Sequence, residues 1–153
     1  MDLFGIKKKG MPMQTRKLLG YSVELDREAT QKWYDSSQGW GCECAPCRHF
    51  LALARKGSLP AAILKTWKEL GIPAEKATYV GELYTDETGI HYQFSYRLVG
   101  AIHSPPANED RILSDQGRCC HEPYPYGAPD FLTPHFDLEF YVTLPHIPKH
   151  DPI

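Results

Sequence analysis

Apolar and polar residues alternate along several stretches of the chain, and this alternation is typical of half-buried β-strands. The first such stretch runs from Leu18 to Asp26, and the last runs from His135 to Leu144. Between them, residues 77–85 and 90–102 flank a short polar turn that ends at Gly89. Because glycine adopts the positive φ angles of tight hairpin turns, this segment predicts a long β-hairpin. The pattern therefore predicts about four strands.

Two segments with helical spacing lie between the first predicted strand and the hairpin. The first follows Pro46, which suits the first turn of a helix, and the second follows Ser58 and stops at Gly71. Residues 27–37 are rich in helix formers but have a poorly defined end. An apolar stripe runs along each of the two segments that follow Pro46 and Ser58. The residues of these stripes are Phe50, Leu51, Leu53, Ala54, Ile63, Leu64, Trp67 and Leu70.

These elements predict the α+β fold class, with an antiparallel sheet of about four strands and two helices between strands one and two. Residues 104–133 are rich in proline, glycine, asparagine and aspartate, and predict a long irregular loop before the last strand. A chain of 153 residues fits one domain. We expect a flexible N-terminal segment over residues 1–17, a single domain over 18–147 and a C-terminal tail over 148–153.

Composition narrows the classes of partner and location. The formal charge of −2 gives no basic excess to attract a phosphate backbone, so we expect no nucleic-acid partner. The apolar runs are too short for a membrane span. We expect a frayed N-terminus, with the alternative that Phe4, Ile6 and the lysines of residues 7–9 touch a membrane surface. The odd cysteine count and the lack of a signal-peptide pattern predict a cytoplasmic protein.

The densest chemistry is a cysteine cluster just before the first predicted helix. Cys44 and Cys47 have the two-residue spacing that lets a turn present both sulfurs to one ion, and Cys42 is close by. A second group, at residues 119–121, supplies two more thiols and an imidazole. A structural zinc site needs four such ligands. The candidate ligands for Zn²⁺ are Cys42, Cys44, Cys47, Cys119, Cys120 and His121. The alternative is that these are reduced thiols that pack as small apolar groups.

A redox interpretation competes with metal binding. Cys44 and Cys47 enclose Ala-Pro directly before a helix, which is similar to the active site of thioredoxin-like proteins, with Cys44 as nucleophile and Cys47 as resolving thiol. That fold requires a buried strand before the motif and alternating strands and helices, and the sequence predicts neither. The cysteine spacing matches no ferredoxin pattern. His49 follows Cys47 by two residues, so the two side chains point to different faces of a helix and do not form a catalytic pair.

The polar face of the second hairpin arm is a further candidate site. His91 and Arg97 alternate with the apolar residues of residues 90–102. A solvated sheet face is the commoner explanation of such a pattern, and we expect it here.

The residues around the first cysteine cluster resemble a group of small bacterial proteins whose activity is not established. The signature of that group is W-G-C-x-C-x-x-C-[RK]-[NH]-[FY], and residues 40–50 of this chain read WGCECAPCRHF. Residues 70–76 and a hairpin ending at residues 98–100 extend the resemblance over about the middle half of the chain. Relatives more often have asparagine where this chain has His49. The resemblance implies the architecture and a site at Cys44 and Cys47, and implies no reaction.

The sequence thus predicts a cytoplasmic binding or interaction domain, more a binding protein than an enzyme, whose cysteine-rich turn is either a structural zinc site or a packed turn of reduced thiols. Its partner would be a protein or a small molecule, and the aromatic loop over residues 124–131 is a candidate contact surface. The first alternative is a thiol–disulfide oxidoreductase that uses Cys44 and Cys47. The second is a small bacterial factor that neutralises a protein toxin, which only the net acidity of the chain suggests.

Overall fold

The computed structural model describes residues 13–105, 117–121, 128 and 130–147. Within these residues the chain forms three helices and one sheet of six strands, and the pairings between the strands are antiparallel. The predicted α+β class and antiparallel sheet are therefore confirmed. In chain order the elements are β1 (Gln14–Leu18), β2 (Tyr21–Leu25), α1 (Arg27–Ser36), α2 (Ala45–Arg55), α3 (Ala61–Leu70), β3 (Tyr79–Asp86), β4 (Gly89–Ser104), β5 (Arg118–Cys120) and β6 (His135–Leu144).

The sheet is built around β4, which is 16 residues long. Along one edge, β4 pairs with β6 from Ile90 opposite Leu144 to Val99 opposite His135. At its beginning it pairs with β3, and at its end it pairs with β2. The strand order is β1-β2-β4-β6-β5, with β3 beside the first half of β4. The fourth strand is long enough to hold both halves of the sheet together.

Helix α1 occupies the edge of β4 between β3 and β2. The Asp26 backbone N–H donates to the Val99 carbonyl at 2.9 Å, and the Val99 N–H donates to Thr30 Oγ1 at 3.0 Å. The Tyr34 hydroxyl donates to the Arg97 carbonyl at 2.9 Å and accepts from the Arg97 N–H at 2.8 Å. Because buried backbone groups need partners, the side chains of α1 take the place of a strand here.

Helices α2 and α3 cover the apolar face of the sheet. Phe50 of α2 packs against Phe94 with ring centroids 4.7 Å apart, and Trp67 of α3 packs against Tyr96 at 4.0 Å. Alternate residues of β4 and β6 complete this core, as the alternation predicts. Helix α3 ends at Gly71, whose φ of 72° is the left-handed cap conformation that glycine adopts without strain.

The number of elements differs from the prediction. Residues 18–26 do not form one strand, because Leu19 and Gly20 have φ angles of 54° and 86° and turn the chain between β1 and β2. Strand β1 begins at Gln14, before the predicted start of the domain. A complete helix, α1, adds a third helix between β2 and β3. The predicted strand therefore covers β2 and only the last residue of β1, and the rest of β1 lies in the segment that was predicted to be flexible.

The predicted irregular loop contains a strand. Residues 118–120 form β5, which pairs with β6 through Cys119 opposite Leu138 and Cys120 opposite Asp137. Three residues are too few to show a period of two, and only the pairing with β6 defines the strand.

The polar face of β4 was predicted to be solvated, but most of it is buried. Five of its members on β4 and β6 are each at most 6% exposed, and they are Gln93, Ser95, Arg97, Asp137 and Glu139. His91, near the beginning of β4, is 19% exposed. The alternation correctly separates polar from apolar positions, but burial of the polar side depends on parts of the chain far away in sequence. Buried charges such as those of Arg97, Asp137 and Glu139 require partners inside the protein.

Some predictions fall outside the described residues. These are the N-terminal segment up to residue 12, the tail from residue 148 and most of the aromatic loop at residues 124–131. From that loop, Phe131 is described, and it is buried against Trp33 with ring centroids 4.6 Å apart. Phe131 is therefore part of the core and not of a contact surface.

Across the described part of the chain, every helix is too short or too polar to cross a membrane.

Candidate metal centre

The cysteine cluster lies where an irregular segment enters α2. Cys44 is the N-cap residue, with an extended backbone at φ −66° and ψ 162°, and its carbonyl accepts the first helical hydrogen bond from the Arg48 N–H at 2.9 Å. Pro46 lies in the first turn of the helix, where its missing N–H has no consequence. This arrangement places Cys47 one turn into the helix, above Cys44.

Three sulfurs come together at this point. The Sγ atoms of Cys42, Cys44 and Cys47 all lie within 4.8 Å of one another. Thiolates that share a tetrahedral zinc ion at about 2.3 Å are about 3.8 Å apart, so closing onto an ion needs a movement of about 1 Å or less. The five cysteines all lie within the described residues and form no disulfide. The turn is thus arranged to offer three soft ligands to one ion.

Cys47 is the anchored member of the group. Its side chain is buried, and its sulfur accepts a hydrogen bond from the indole Nε1–H of Trp40 at 3.3 Å. The Trp40 ring is itself held edge-on against Tyr79, with centroids 5.4 Å apart. The Cys47 Sγ also lies 3.9 Å from the Val80 carbonyl of β3. A donor directed at a thiolate stabilises its charge and orients it, as outer groups do around metal ligands.

Two of the three thiols differ in acidity. Burial raises the pKa of the Cys47 thiol to about 12, with a further increase from the neighbouring Cys44, while the Trp40 hydrogen bond acts in the opposite direction. The pKa of Cys42 is lowered, first by the backbone N–H of Cys44 and then by hydrogen bonds from the Cys44 and Cys47 thiols. Cys42 therefore ionises more readily than Cys47, which keeps its proton at neutral pH until a cation replaces it.

The second predicted ligand group lies on another element. Cys119 is a buried residue of β5, and its thiol donates to the Leu18 carbonyl over 3.9 Å. Burial also raises the pKa of this thiol. Cys120 follows it on β5, and His121 is exposed just beyond the strand. Of the six predicted ligands, the structure brings Cys42, Cys44 and Cys47 into one group, which does not include Cys119, Cys120 and His121.

His49 has a structural position. Its side chain is buried, and its Nε2–H donates to the Pro145 carbonyl at 2.8 Å, which ties α2 to the end of β6. The expectation that it does not pair with Cys47 agrees with this bond, which directs the imidazole away from the sulfurs.

The polar face of the sheet holds a buried network of charged residues that the sequence pattern did not predict. Arg97 Nε donates to Asp137 Oδ1 at 2.9 Å, and Arg97 Nη1 donates to the Ala128 carbonyl at 2.9 Å. Beside this pair, Arg118 Nε donates to Glu139 Oε1 at 2.9 Å. Opposite charges could have indicated this network in the sequence, because basic residues of β4 and β5 lie opposite acidic residues of β6.

On this face of the sheet, two buried polar atoms have no hydrogen-bond partner within the described residues, namely Asp137 Oδ2 and Ser95 Oγ. Burial raises the pKa of Asp137, although the hydrogen bond from Arg97 opposes that increase. The Asp137 carboxylate is therefore only partly compensated, and its charge depends on Arg97.

Comparison with protein-family models, with curated proteins and with solved structures gives no match to this chain. The resemblance to the small bacterial proteins stays a prediction. We therefore infer a function from the geometry of the described residues alone.

Proposed function

We propose that this protein is a cytoplasmic metal-binding domain that holds Zn²⁺ through Cys42, Cys44 and Cys47, and that it acts by binding and not by catalysis. The observation that supports this proposal most directly is the approach of three sulfurs within 4.8 Å at the beginning of α2. Thiolates are preferred zinc ligands, and the positive end of a helix dipole favours their negative charge.

The fourth zinc ligand comes from outside this group. Within the described residues, no further cysteine, histidine or carboxylate joins the three sulfurs. Cys42 and Cys44 are exposed, so the open side of the ion faces solvent. Water, a small thiol or a side chain of a binding partner completes the tetrahedron there. Cytoplasmic conditions support this role because they keep the thiols reduced.

The test is metal analysis of the protein purified without added metal, together with a count of reactive thiols before and after a chelator. We expect about one zinc per chain, and three thiols that become reactive only on chelation. Addition of Co²⁺ to the metal-free protein should give the intense absorption of thiolate-to-cobalt charge transfer.

A matched pair of variants assigns the ligands. Cys44→Ser removes one proposed ligand and should weaken metal binding by at least tenfold, while Cys120→Ser changes a thiol of the second group and should leave it unchanged. A loss of affinity in Cys120→Ser would instead favour a site that joins both groups. Metal-free protein whose thiols all react at once, and which gives no cobalt spectrum, contradicts the proposal.

A second candidate function is thiol–disulfide exchange. The closeness of Cys44 and Cys47 at a helix N-terminus supports it, as does the lowered pKa of Cys42, which adds a third thiol to the predicted pair. Mild oxidation followed by peptide mapping tests it. Failure to form a reversible disulfide between Cys44 and Cys47 would exclude the pair predicted from the sequence.

A further inference from the structure

The protein holds the three clustered sulfurs unequally. Cys47 is 4% exposed, and its sulfur accepts a hydrogen bond from the Trp40 Nε1–H at 3.3 Å. Cys42 and Cys44 are both exposed. Cys42 also lies within residues 37–43, which form neither helix nor strand, so its movement breaks no regular element. The cluster therefore has one fixed sulfur and two sulfurs that another molecule can reach.

The exposed side of the cluster has room for an incoming group. Among the described residues, three sulfurs meet here, and no further cysteine, histidine or carboxylate joins them. Gly41 precedes Cys42, and a Cβ added to Gly41 would have no atom within 4 Å apart from its neighbours in the chain. A zinc ion takes four ligands. An ion bound to these three sulfurs is thus open to a ligand from another molecule.

The position of α2 does not depend on a bound ion. Phe50 packs against Phe94 of the sheet with ring centroids 4.7 Å apart. The Tyr92 hydroxyl donates to the Pro46 carbonyl in the first turn of α2 at 2.6 Å. Both contacts hold the helix on the sheet without metal. The cluster can therefore release an ion while the helix that carries it stays in place.

We propose that this protein transfers its zinc ion directly to an acceptor protein that presents cysteine thiols. This inference rests on the proposed zinc site. A thiol of the acceptor binds the ion at its open position, and the bond between zinc and the Cys42 sulfur then breaks. Each exchange forms one bond between zinc and an acceptor sulfur, breaks one bond to a sulfur of this protein, and moves the proton of the incoming thiol to the leaving sulfur. The zinc stays divalent throughout.

The order of exchange follows from the contacts of each sulfur. Cys42 leaves first because it lies in the irregular segment, and Cys44 follows because it is exposed at the beginning of the helix. Cys47 leaves last, since burial and the Trp40 hydrogen bond hold it in position. The ion therefore passes outward from the buried sulfur to the acceptor.

Direct transfer has a kinetic signature. If the ion must first dissociate into solution, the rate of transfer at excess acceptor is the rate of dissociation and does not depend on acceptor concentration. If the acceptor attacks the bound ion, the rate rises in proportion to acceptor concentration. The proposal requires the second behaviour.

The probe is a synthetic Cys2His2 zinc-finger peptide, which is unfolded without metal and folds when it binds zinc. Two dyes at the ends of the peptide report its folding through energy transfer. The zinc-loaded full-length protein is mixed with excess metal-free peptide. Over about a tenfold range of peptide concentration, we expect the observed rate to rise about tenfold. Separation of the two by a dialysis membrane should reduce the rate to that of dissociation alone.

A fourth sulfur beside the cluster should close the site. Arg48 is exposed and lies one helical turn beyond Cys44, since its N–H donates to the Cys44 carbonyl. Side chains four residues apart have Cβ atoms about 5–6 Å apart. Arg48→Cys should therefore increase the thiolate-to-cobalt absorption and slow zinc transfer by at least about tenfold. The matched control is Arg55→Cys, which adds a thiol in the last turn of α2 and should transfer at the wild-type rate.

Zinc affinity and thermal unfolding are measured for each variant, and both replaced arginines are exposed. A zinc-loaded protein whose transfer rate does not change with peptide concentration overturns direct transfer and leaves the zinc site intact. Transfer by Arg48→Cys at the rate of Arg55→Cys, with the added sulfur bound to cobalt, overturns it as well. A protein that binds no zinc contradicts both this inference and the proposed function.

Discussion

The buried pair of Arg97 and Asp137 makes a quantitative prediction for Arg97→Met. The two side chains are 3% and 1% exposed, and the substitution leaves the Asp137 carboxylate without its cation. It also removes the donor from the Ala128 carbonyl. A buried ion left uncompensated costs about 3–5 kcal/mol. We therefore expect Arg97→Met to lose about 3–5 kcal/mol of unfolding free energy at pH 7, which is a large part of the roughly 5–15 kcal/mol that stabilises a typical domain.

The loss should depend on pH in a defined direction. Burial already raises the pKa of Asp137 in the folded protein, and removal of Arg97 takes away the main opposing influence. A carboxyl group whose folded pKa exceeds its unfolded pKa binds more protons when folded, so stability falls as pH rises through the interval between the two values. The destabilisation by Arg97→Met should therefore be smaller at pH 5 than at pH 7.

Urea unfolding followed by circular dichroism measures these free energies, and a double-mutant cycle isolates the pair. Replacing both residues, as Arg97→Met with Asp137→Leu, removes the charge along with its partner and should recover most of the loss. The matched control is His103→Gln, which removes the exposed ion pair between His103 and Glu24 and should change stability by less than about 1 kcal/mol. An Arg97→Met loss below about 1 kcal/mol, or one that is equal at both pH values, would refute the reasoning.

Three further predictions concern the edge of β4 and the buried titrating groups. Gly100→Ala should destabilise the fold by about 2 kcal/mol or more in thermal unfolding, because φ is 151° there and a Cβ would lie 2.0 Å from the Glu24 carbonyl oxygen. Tyr34→Phe should cost about 2–4 kcal/mol in urea unfolding, since it leaves two buried backbone groups of β4 unpaired. Stability should fall as pH rises above about 10, because burial raises the pKa of Tyr34 and Tyr96 above their unfolded values; a flat alkaline profile would contradict this assignment.

The sequence correctly predicts the helices and strands whose signal lies in neighbouring residues. Strand β6 has the predicted bounds of His135–Leu144, the hairpin of β3 and β4 is confirmed, and α2 and α3 begin and end near the expected prolines and glycines. Each of these has a long periodic run or a clear terminal signal. The closeness of Cys44 and Cys47 was predicted for the same reason, because they are one helical turn apart. The sequence left open which of Cys42, Cys119 and Cys120 joins them, and the structure brings Cys42 to the pair.

The remaining features depend on contacts between distant parts of the chain. Strand β5 exists only through its pairing with β6, and Arg97 is buried because Asp137 and Ala128 are brought to it by the fold. A cavity of about 550 Å³ also depends on the fold, because residues of α3, β3, β4 and β6 line it. The periodicity of a single strand contains no information about which residues lie opposite it.

The way α1 closes the edge of β4 has a consequence for self-association. A strand edge with unsatisfied N–H and C=O groups can accept a strand from another molecule, which is a common first step of aggregation. The backbone N–H of Asp26 bonds to Val99, and the side chains of Thr30 and Tyr34, which are four residues apart and so lie on one face of α1, bond to Val99 and Arg97. These contacts occupy the backbone groups that an incoming strand would use. Helix α1 thus occupies the part of the β4 edge that no strand covers. Displacement of α1 would expose an unpaired strand edge to other molecules even while the rest of the core stays folded.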